Sequence, residues 1–306
     1  MIGFVSRRLL SLFVTLIIVS VVVFIMMHSI PGGPFSLGKM PLPEEVKEKL
    51  KAQYGLDKPL VIQYFNYVKS VFTLKFGRSY QNPGETVLEL IGRTFPVSAL
   101  LGGIGLIIAF PLGLGLGLIS AVNRNSFIDY ITTTVSIYGI SVPRYVTSML
   151  LMLIFAIWLP ILPTGGWGSW QHLILPSIAY ATMPTGMIAR YTRSSILEAL
   201  NKPYTKTARA KGVPEWRIIL KHALRNAAVP LLTISLPLVS GFLTGSIFIE
   251  KIFRVPGLGK FFVTSIFNRD YPVIMTLLLM MALMLGVTFL ITDVLYAVVD
   301  PRVRLD

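Results

Sequence analysis

The 306-residue sequence contains no cysteine. Disulfides, zinc–thiolate sites and iron–sulfur clusters are thereby excluded. Histidine is nearly absent, with three in all. His28, His172 and His222 lie far apart in the chain, and the topology derived below divides them between two membrane faces. No three-histidine metal site follows from them. Charge is scarce as well: 14% of residues are charged, against about 25% in an ordinary soluble domain. Acids are the scarcer sign, with 14 Asp and Glu against 28 Lys and Arg, a net charge of +14. There is no Gly-x-x-x-x-Gly-Lys-Ser/Thr run, so the chain carries no phosphate loop of its own. The stretch Gly113-Leu114-Gly115-Leu116-Gly117 imitates one superficially. It lacks the Lys-Ser/Thr pair, and its setting is apolar. Gly113 and Gly117 lie one helical turn apart, where missing side chains permit close helix contact.

What the sequence has instead is apolar length, with 54% of its residues hydrophobic. No charge falls between Arg8 and Lys39, Arg93 and Arg124, Arg225 and Glu250, or Asp270 and Asp293, and Arg144 stands alone between Asp129 and Arg190. A helix needs roughly 20 apolar residues to cross the hydrocarbon layer. Six spans are expected: Leu9–Met27, Phe95–Ala121, Tyr130–Trp158, Leu173–Ala189, Ala227–Ile249 and Pro272–Val298. The first is too long for a signal-peptide core and lacks a small-x-small cleavage pattern, so it reads as a retained helix. A strongly basic chain can signal nucleic acid. Here the charge is divided among loops between spans, which fits a bilayer protein and not a nucleic-acid binder.

Basic residues in short loops place both termini, the Asn123–Asp129 loop and the 190–226 loop in the cytoplasm. Residues 30–94 and 250–271 then lie outside, although both are net positive. The expected organisation is a tail and first helix over 1–29, an extracytoplasmic segment over 30–94, a five-helix core over 95–298 and a cytoplasmic tail over 299–306. Within 30–94, Pro43 opens a short helix with acids leading and lysines following, and Gly55 ends it. Leu60–Phe72 reads as a second amphipathic helix with Val61, Tyr64, Phe65 and Val68 toward one side. Trp167 and Trp170, in the Pro160–His172 loop, read as membrane-interface anchors.

The most informative stretch is Tyr204–Asn226, which carries six Lys and Arg and one acid. Tyr204–Lys211 tolerates a helix, Gly212 ends it with a positive φ, and Pro214 suits the first turn of the next helix. The result is a short helix, a tight turn and a second helix, a protrusion suited to a pocket on another protein. A DNA-reading helix-turn-helix has the same outline. Membrane spans on both sides leave that reading little room for a DNA-binding core.

Ala208-x-x-x-Gly212, within Thr207-Ala208-Arg209-Ala210-Lys211-Gly212, resembles the EAA loop of bacterial ABC importer permeases. With His222-Ala223-Leu224-Arg225-Asn226-Ala227 it is similar to the dipeptide, oligopeptide and nickel group, in particular to the subunit with a large outer segment after its first span. Further similarities run along the chain: Pro31-Gly32-Gly33-Pro34, Tyr54-Gly55-Leu56-Asp57-x-Pro59, Phe76-Gly77-x-Ser79, Ser141-x-Pro143, Glu250-x-x-Phe253-x-x-Pro256-Gly257-Leu258-Gly259, Arg269-Asp270-Tyr271-Pro272 and Asp300-Pro301-Arg302. Lys206 and Thr207 stand where the general EAA pattern has Glu and Ala.

The resemblance implies an all-α, six-helix type I importer permease in the plasma membrane, an importing subunit and not an enzyme. It implies no cofactor on this chain, with ATP and magnesium held by partner subunits. The implied partners are a second homologous permease, two cytoplasmic ATP-binding subunits and an extracytoplasmic solute-binding protein. The implied cargo is a di- or oligopeptide, with oligosaccharide or nickel chelate as alternatives. Tyr204, Thr207, Ala208, Arg209, Ala210, Lys211, Gly212 and Pro214 would dock on an ATPase subunit. In that reading Arg209 and Lys211 steer the encounter by charge.

Arg144 is the other candidate. A charge inside a span faces protein or water, so it either lines a translocation path or contacts a carbonyl or Asp293. Pro111, Pro143, Pro176, Pro184, Pro230 and Pro237 lie within expected spans as kinks or hinges. An ion-coupled secondary transporter would also explain the spans, but it calls for paired repeats with broken helices, which the sequence does not display.

Overall fold

A computed structural model describes residues 2–30, 33–35 and 43–299. Pro31 and Gly32 of the Pro-Gly-Gly-Pro run, and the tail from Asp300, lie outside them. Among the described residues the chain is helical throughout, with a single isolated bridge pairing Arg78 and Thr86.

Helix α1 covers Ile2–Ser29, α2 Glu44–Gln53, α3 Leu60–Phe72 and α4 Val87–Val122. Then come α5 (Phe127–Ser141) and α6 (Arg144–Met152), the latter running on as a π-helical turn over Leu153–Trp158. Helix α7 is Gln171–Asn201, α8 Pro203–Ala210 and α9 Glu215–Arg217, which continues through a π-turn at Ile218–Ala223 into α10, Leu224–Leu243. Short α11 (Ile247–Ile252) and α12 (Leu258–Asn268) precede α13, Tyr271–Val299.

Four stretches are long and apolar enough to cross a membrane: Ser6–Ser29, Val87–Val122, Ser235–Ile252 and Tyr271–Leu295. A bent pair, α5 with α6 and its π-turn, makes up to five. The chain is therefore an all-α, multi-pass membrane protein. Two expected spans take a different form. Tyr130–Trp158 is not one helix. It breaks after Ser141 and turns by 107°, because Pro143 has no N–H to continue the ladder and pushes Val142 into an extended conformation (φ −80°, ψ 123°). The Leu173–Ala189 stretch lies within a 31-residue helix, but Ser177, Thr182, Pro184 and Thr185 dilute its apolar length, and it is not among the four.

Helix α4 starts with a reciprocal cap. The Thr86 hydroxyl accepts from the Glu89 N–H at 3.2 Å, and the Glu89 carboxylate accepts from the Thr86 N–H at 2.8 Å. Its 36 residues extend roughly 54 Å, well beyond a hydrocarbon layer of about 30 Å. Its seam with α7 is built from glycine. A Cβ on Gly113 would come within 2.7 Å of the Ile188 Cβ, and one on Gly117 within 2.5 Å of the Ala189 carbonyl oxygen. The expectation that these glycines serve helix contact agrees with that geometry. The core follows from this seam. Leu101, Leu106, Leu175, Tyr180, Phe242 and Phe253 bury together across α4, α7, α10 and the α11–α12 turn. A second cluster, with Ile188, Ile196, Ala199, Ala223 and Ala227, closes the end where α7 passes into α8.

Helix α1 stands to one side, joined through α13. Arg8 pairs with Asp293 at 2.9 Å near one end of the two helices, and the His28 and Tyr271 rings meet at 5.3 Å near the other. The expected helices of the 30–94 segment are present, with Pro43 as N-cap of α2 and Gly55 at φ +68° just past its end. The expected face of α3 divides in two. Tyr64, Tyr67 and Val68 turn toward α1 and α13, whereas Val61 and Phe65 are exposed. The segment after α3 is tied down by Asp270, whose carboxylate accepts from the Ser79 hydroxyl and from the Tyr80 N–H at 3.1 Å. Burial there pushes the Asp270 carboxyl above its ordinary range despite those hydrogen bonds.

Candidate functional site

The loop between α7 and α10 folds as its residues dictate. Lys202 leaves helical geometry (φ −70°, ψ 152°) and Pro203 takes the first position of α8, where its missing N–H costs nothing. The helix is anchored by Thr205, which is fully buried and donates its hydroxyl to the Ala199 carbonyl at 2.8 Å. After Ala210 the chain closes in a Schellman turn. The Gly212 N–H donates to the Arg209 carbonyl at 2.9 Å, and the Val213 N–H reaches back to the Ala208 carbonyl at 3.2 Å. Gly212 holds φ +74°, and a Cβ there would meet nothing within 4 Å. Its requirement is conformational and not steric.

The spacing of Ala208 and Gly212 is thus the spacing of a helix cap. Pro214 is the N-cap of α9 (φ −63°, ψ 143°), one position before the expected first turn. Across the turn, Arg209 grips Glu215 through Nε and Nη2, and the guanidinium holds the Glu215 carboxyl below its ordinary range. Arg209 therefore braces the turn, while Lys206 and Lys211 are left exposed. Tyr204, Thr207 and Ala210 are exposed and Ala208 is half-buried.

Two features of this region escaped the sequence reading. Trp216 is 59% exposed beside the turn, with the Arg217 guanidinium 5.2 Å from its ring centroid. Further along α7, Arg193 binds Asp129 of α5 at 2.8 Å through both Nε and Nη2. Only the isolation of Asp129 beside an apolar span could have signalled that pair.

Arg144 needs a new location. It opens α6 just after the break instead of lying inside a continuous span. It lines a cavity of about 290 Å³ together with Thr244, Ser246, Phe248, Phe262 and Met281. Its Nη2 lies 3.2 Å from the Met183 sulfur, and its Cζ 5.0 Å from the Phe242 ring centroid. No carboxylate among the described residues pairs with it. Asp293, the partner considered from sequence, is taken by Arg8. The cavity therefore presents an un-neutralised cation, suited to an anionic or carbonyl-rich guest.

Beside the cavity, the Glu250 run acquires a physical meaning. Glu250 is fully buried. Its carboxylate accepts from the Ser98 hydroxyl at 2.6 Å and the Lys260 N–H at 3.0 Å, and Ser98 in turn accepts from the Leu258 N–H at 2.7 Å. Gly245 and Gly257 leave it room: a Cβ on either would fall 2.4 to 2.5 Å from the carboxylate group. This locks α4, α11 and the start of α12 against one another. Among the described residues no group of three or more His, Asp or Glu is placed to hold a metal ion.

Comparison with known proteins agrees with the geometry. Residues 113–305 match the family model of the binding-protein-dependent transport system inner membrane component, and residues 1–116 match the model of the N-terminal part of such membrane components. The chain is 42% identical over 299 residues to the dipeptide transport system permease protein DppB of Bacillus subtilis, covering 98% of this chain and 97% of that one. It is 43% identical over 305 residues to the DppB protein of Lactococcus lactis, covering 100% of both. With the oligopeptide transport system permease protein OppB of Escherichia coli it shares 40% over 306 residues, 99% of this chain and 100% of that one. Among solved structures, an inward-facing MetNI methionine ABC transporter aligns with a TM-score of 0.58 at 16% identity, covering 69% of this chain and 96% of the other. That likeness concerns the fold alone.

Proposed function

The chain belongs to the family of binding-protein-dependent transport system inner membrane components, and on that premise we propose that it is the permease subunit of an ATP-driven importer of di- or oligopeptides. The observation that carries the mechanism is the capped turn Pro203–Pro214, held to α7 by Thr205 and braced by Arg209 and Glu215. In this reading the turn is the docking element for one of two cytoplasmic ATP-binding subunits, which hold the ATP and magnesium. A second homologous permease completes the pathway, and an extracytoplasmic binding protein delivers cargo. The membrane is crossed six times, by α1, α4, α5 with α6, α7, α10 with α11, and α13, with both termini in the cytoplasm.

ATP binding draws the ATPase subunits together and carries α8 with them. Thr205 passes the displacement to α7, and the Arg193–Asp129 pair passes it from α7 to α5. The continuous α9–α10 helix takes the other share. Arg144, at the break between α5 and α6, meets the cargo as the cavity changes the face it opens toward. The cation favours peptides with a free carboxylate. The peptide cargo draws on the names of the relatives, and the un-neutralised Arg144 cavity supports it.

The test is reconstitution with the partner subunits and the binding protein, measuring ATP hydrolysis and uptake. Peptide-loaded binding protein should stimulate both. Stimulation only by oligosaccharide or nickel chelate would overturn the cargo, and uptake independent of ATP would overturn the class.

A further inference from the structure

Helix α3 follows the second half of α1. At its start, Gln63 Oε1 lies 3.0 Å from His28 Nε2, beside the end of α1. One residue on, the Tyr64 hydroxyl lies 2.9 Å from the Ser20 hydroxyl. Ser20 sits near the middle of the apolar run of α1, roughly 13 Å below Ser29 at the helical rise. The Tyr67 hydroxyl donates to the Met275 carbonyl at 3.4 Å, inside the apolar length of α13. The last turn, with Val71 and Phe72, borders a crevice shared with Phe13, Leu16 and Ile17 of α1 and with Leu279. The helix thus descends alongside a span instead of capping it.

Its faces sort in three. The tyrosines turn to α1 and α13. Asn66, Lys69 and Ser70 form a polar arc. Between the two runs an apolar stripe at one-turn spacing, Val61, Phe65 and Phe72, with half-buried Val68 at its inner edge beside the crevice. Val61 and Phe65 are 66% exposed and Phe72 is 67% exposed. In water these side chains would carry a standing cost. The stripe is continuous with the exposed apolar side of α1, where Phe13, Val14 and Ile18 face outward at a level that only hydrocarbon occupies. The crevice holds about 100 Å³ and is almost wholly apolar, and an apolar space of this kind does not fill with water. Lys58 precedes α3 and Lys69 lies on its polar arc, both exposed, where long cationic side chains reach up to lipid headgroups.

We propose that α3 is an insert in one bilayer leaflet, with its exposed Val61, Phe65 and Phe72 lying among acyl chains and the crevice against α1 seating part of the acyl chain of one phospholipid. In the orientation argued above this is the outer leaflet. The proposal rests on the membrane reading but not on the cargo, so its failure would leave the importer assignment standing.

This chain contains no cysteine, so single labels can be placed in it once any cysteines of the partner subunits have been replaced. Single cysteines at Phe65→Cys and Phe72→Cys, with Glu48→Cys on α2 as reference, are spin-labelled in the full complex in phosphatidylethanolamine–phosphatidylglycerol vesicles. The two stripe positions should collide with oxygen more than with a water-soluble nickel chelate, and Glu48→Cys should show the inverse. Nickel access at the stripe would overturn the proposal. So would shielding from both reagents, which would mean that the second permease covers the helix. Native mass spectrometry of the complex provides a second readout. Ile17→Trp, which fills the crevice, should lose one retained phospholipid per copy. Unchanged retention would overturn the acyl-chain site.

Discussion

Arg193 holds Asp129 with both arms of its guanidinium at 2.8 Å, and so joins α7 to the first turn of α5. Asp129 is 5% exposed and also accepts from the Ser120 hydroxyl and the Asn125 N–H. Removing one member of a buried pair strands the other, at about 3–5 kcal/mol. The Arg193 side chain is 30% exposed, which puts the expected loss near the lower figure. Asp129→Asn and Arg193→Gln should both lower the thermal inactivation midpoint of the purified complex, and Arg193→Lys should lower it less. Unchanged midpoints would show that the pair does not join the helices.

Gly212 is a test of conformation without crowding. A β-branched residue at its positive φ costs about 1–2 kcal/mol, although the space beside it is empty. Gly212→Val should reduce uptake while ATP hydrolysis continues. Gly212→Asn, which tolerates this geometry better, should fall between mutant and native. The ratio of ATP hydrolysed to cargo moved reads the effect directly, and an unchanged ratio in Gly212→Val rules the turn out as the point of transmission.

Gly257 tests the opposite case. Its φ of −94° suits any residue, yet a Cβ there would lie 2.5 Å from the Glu250 carboxyl carbon. Gly257→Ala should destabilise by about 1–3 kcal/mol through overpacking. Gly103→Ala, in α4 with nothing within 4 Å, should be neutral or gain up to about 1 kcal/mol in helix propensity. Thermal unfolding of the two variants side by side decides the matter.

Arg144 should separate cargo by charge. A charge-assisted hydrogen bond contributes about 1.5–3 kcal/mol, so Arg144→Gln should cut the preference for free-carboxylate over amidated peptides by roughly tenfold or more. Arg144→Lys should retain part of it. Competition uptake assays measure the ratio, and equal ratios in native and Arg144→Gln would remove Arg144 from the path.

Much of the scaffold was legible because membrane helices are read from apolar length, and four of the expected spans fall on helices of that kind. The turn at Gly212 was legible for the same reason, since a positive φ is a local demand that one residue announces. What stayed hidden was relational. Pro143 is one of several span prolines, and nothing local in the sequence distinguishes it as the one that turns the chain by 107° while Pro111, Pro184 and Pro237 stay inside helices. The Glu250 run could be matched as a pattern, yet the reason for its glycines lies in a carboxylate brought between them by folding. Arg209 looked like a free charge because its partner, Glu215, becomes its neighbour only after the chain reverses at Gly212.

The two π-turns bear on how such a protein can move. One closes α6 at Leu153–Trp158, and the other joins the Pro203–Pro214 turn to α10 at Ile218–Ala223. A π-turn stores about one residue more than the α-helix it interrupts. Releasing that residue would advance α10 by about 1.5 Å and rotate it by about 100° with every N–H still paired along the rod. Such a joint would work as an escapement: it would advance by a counted step, so that a push at the turn would reach α10 as a discrete change of phase and not as a gradual bend.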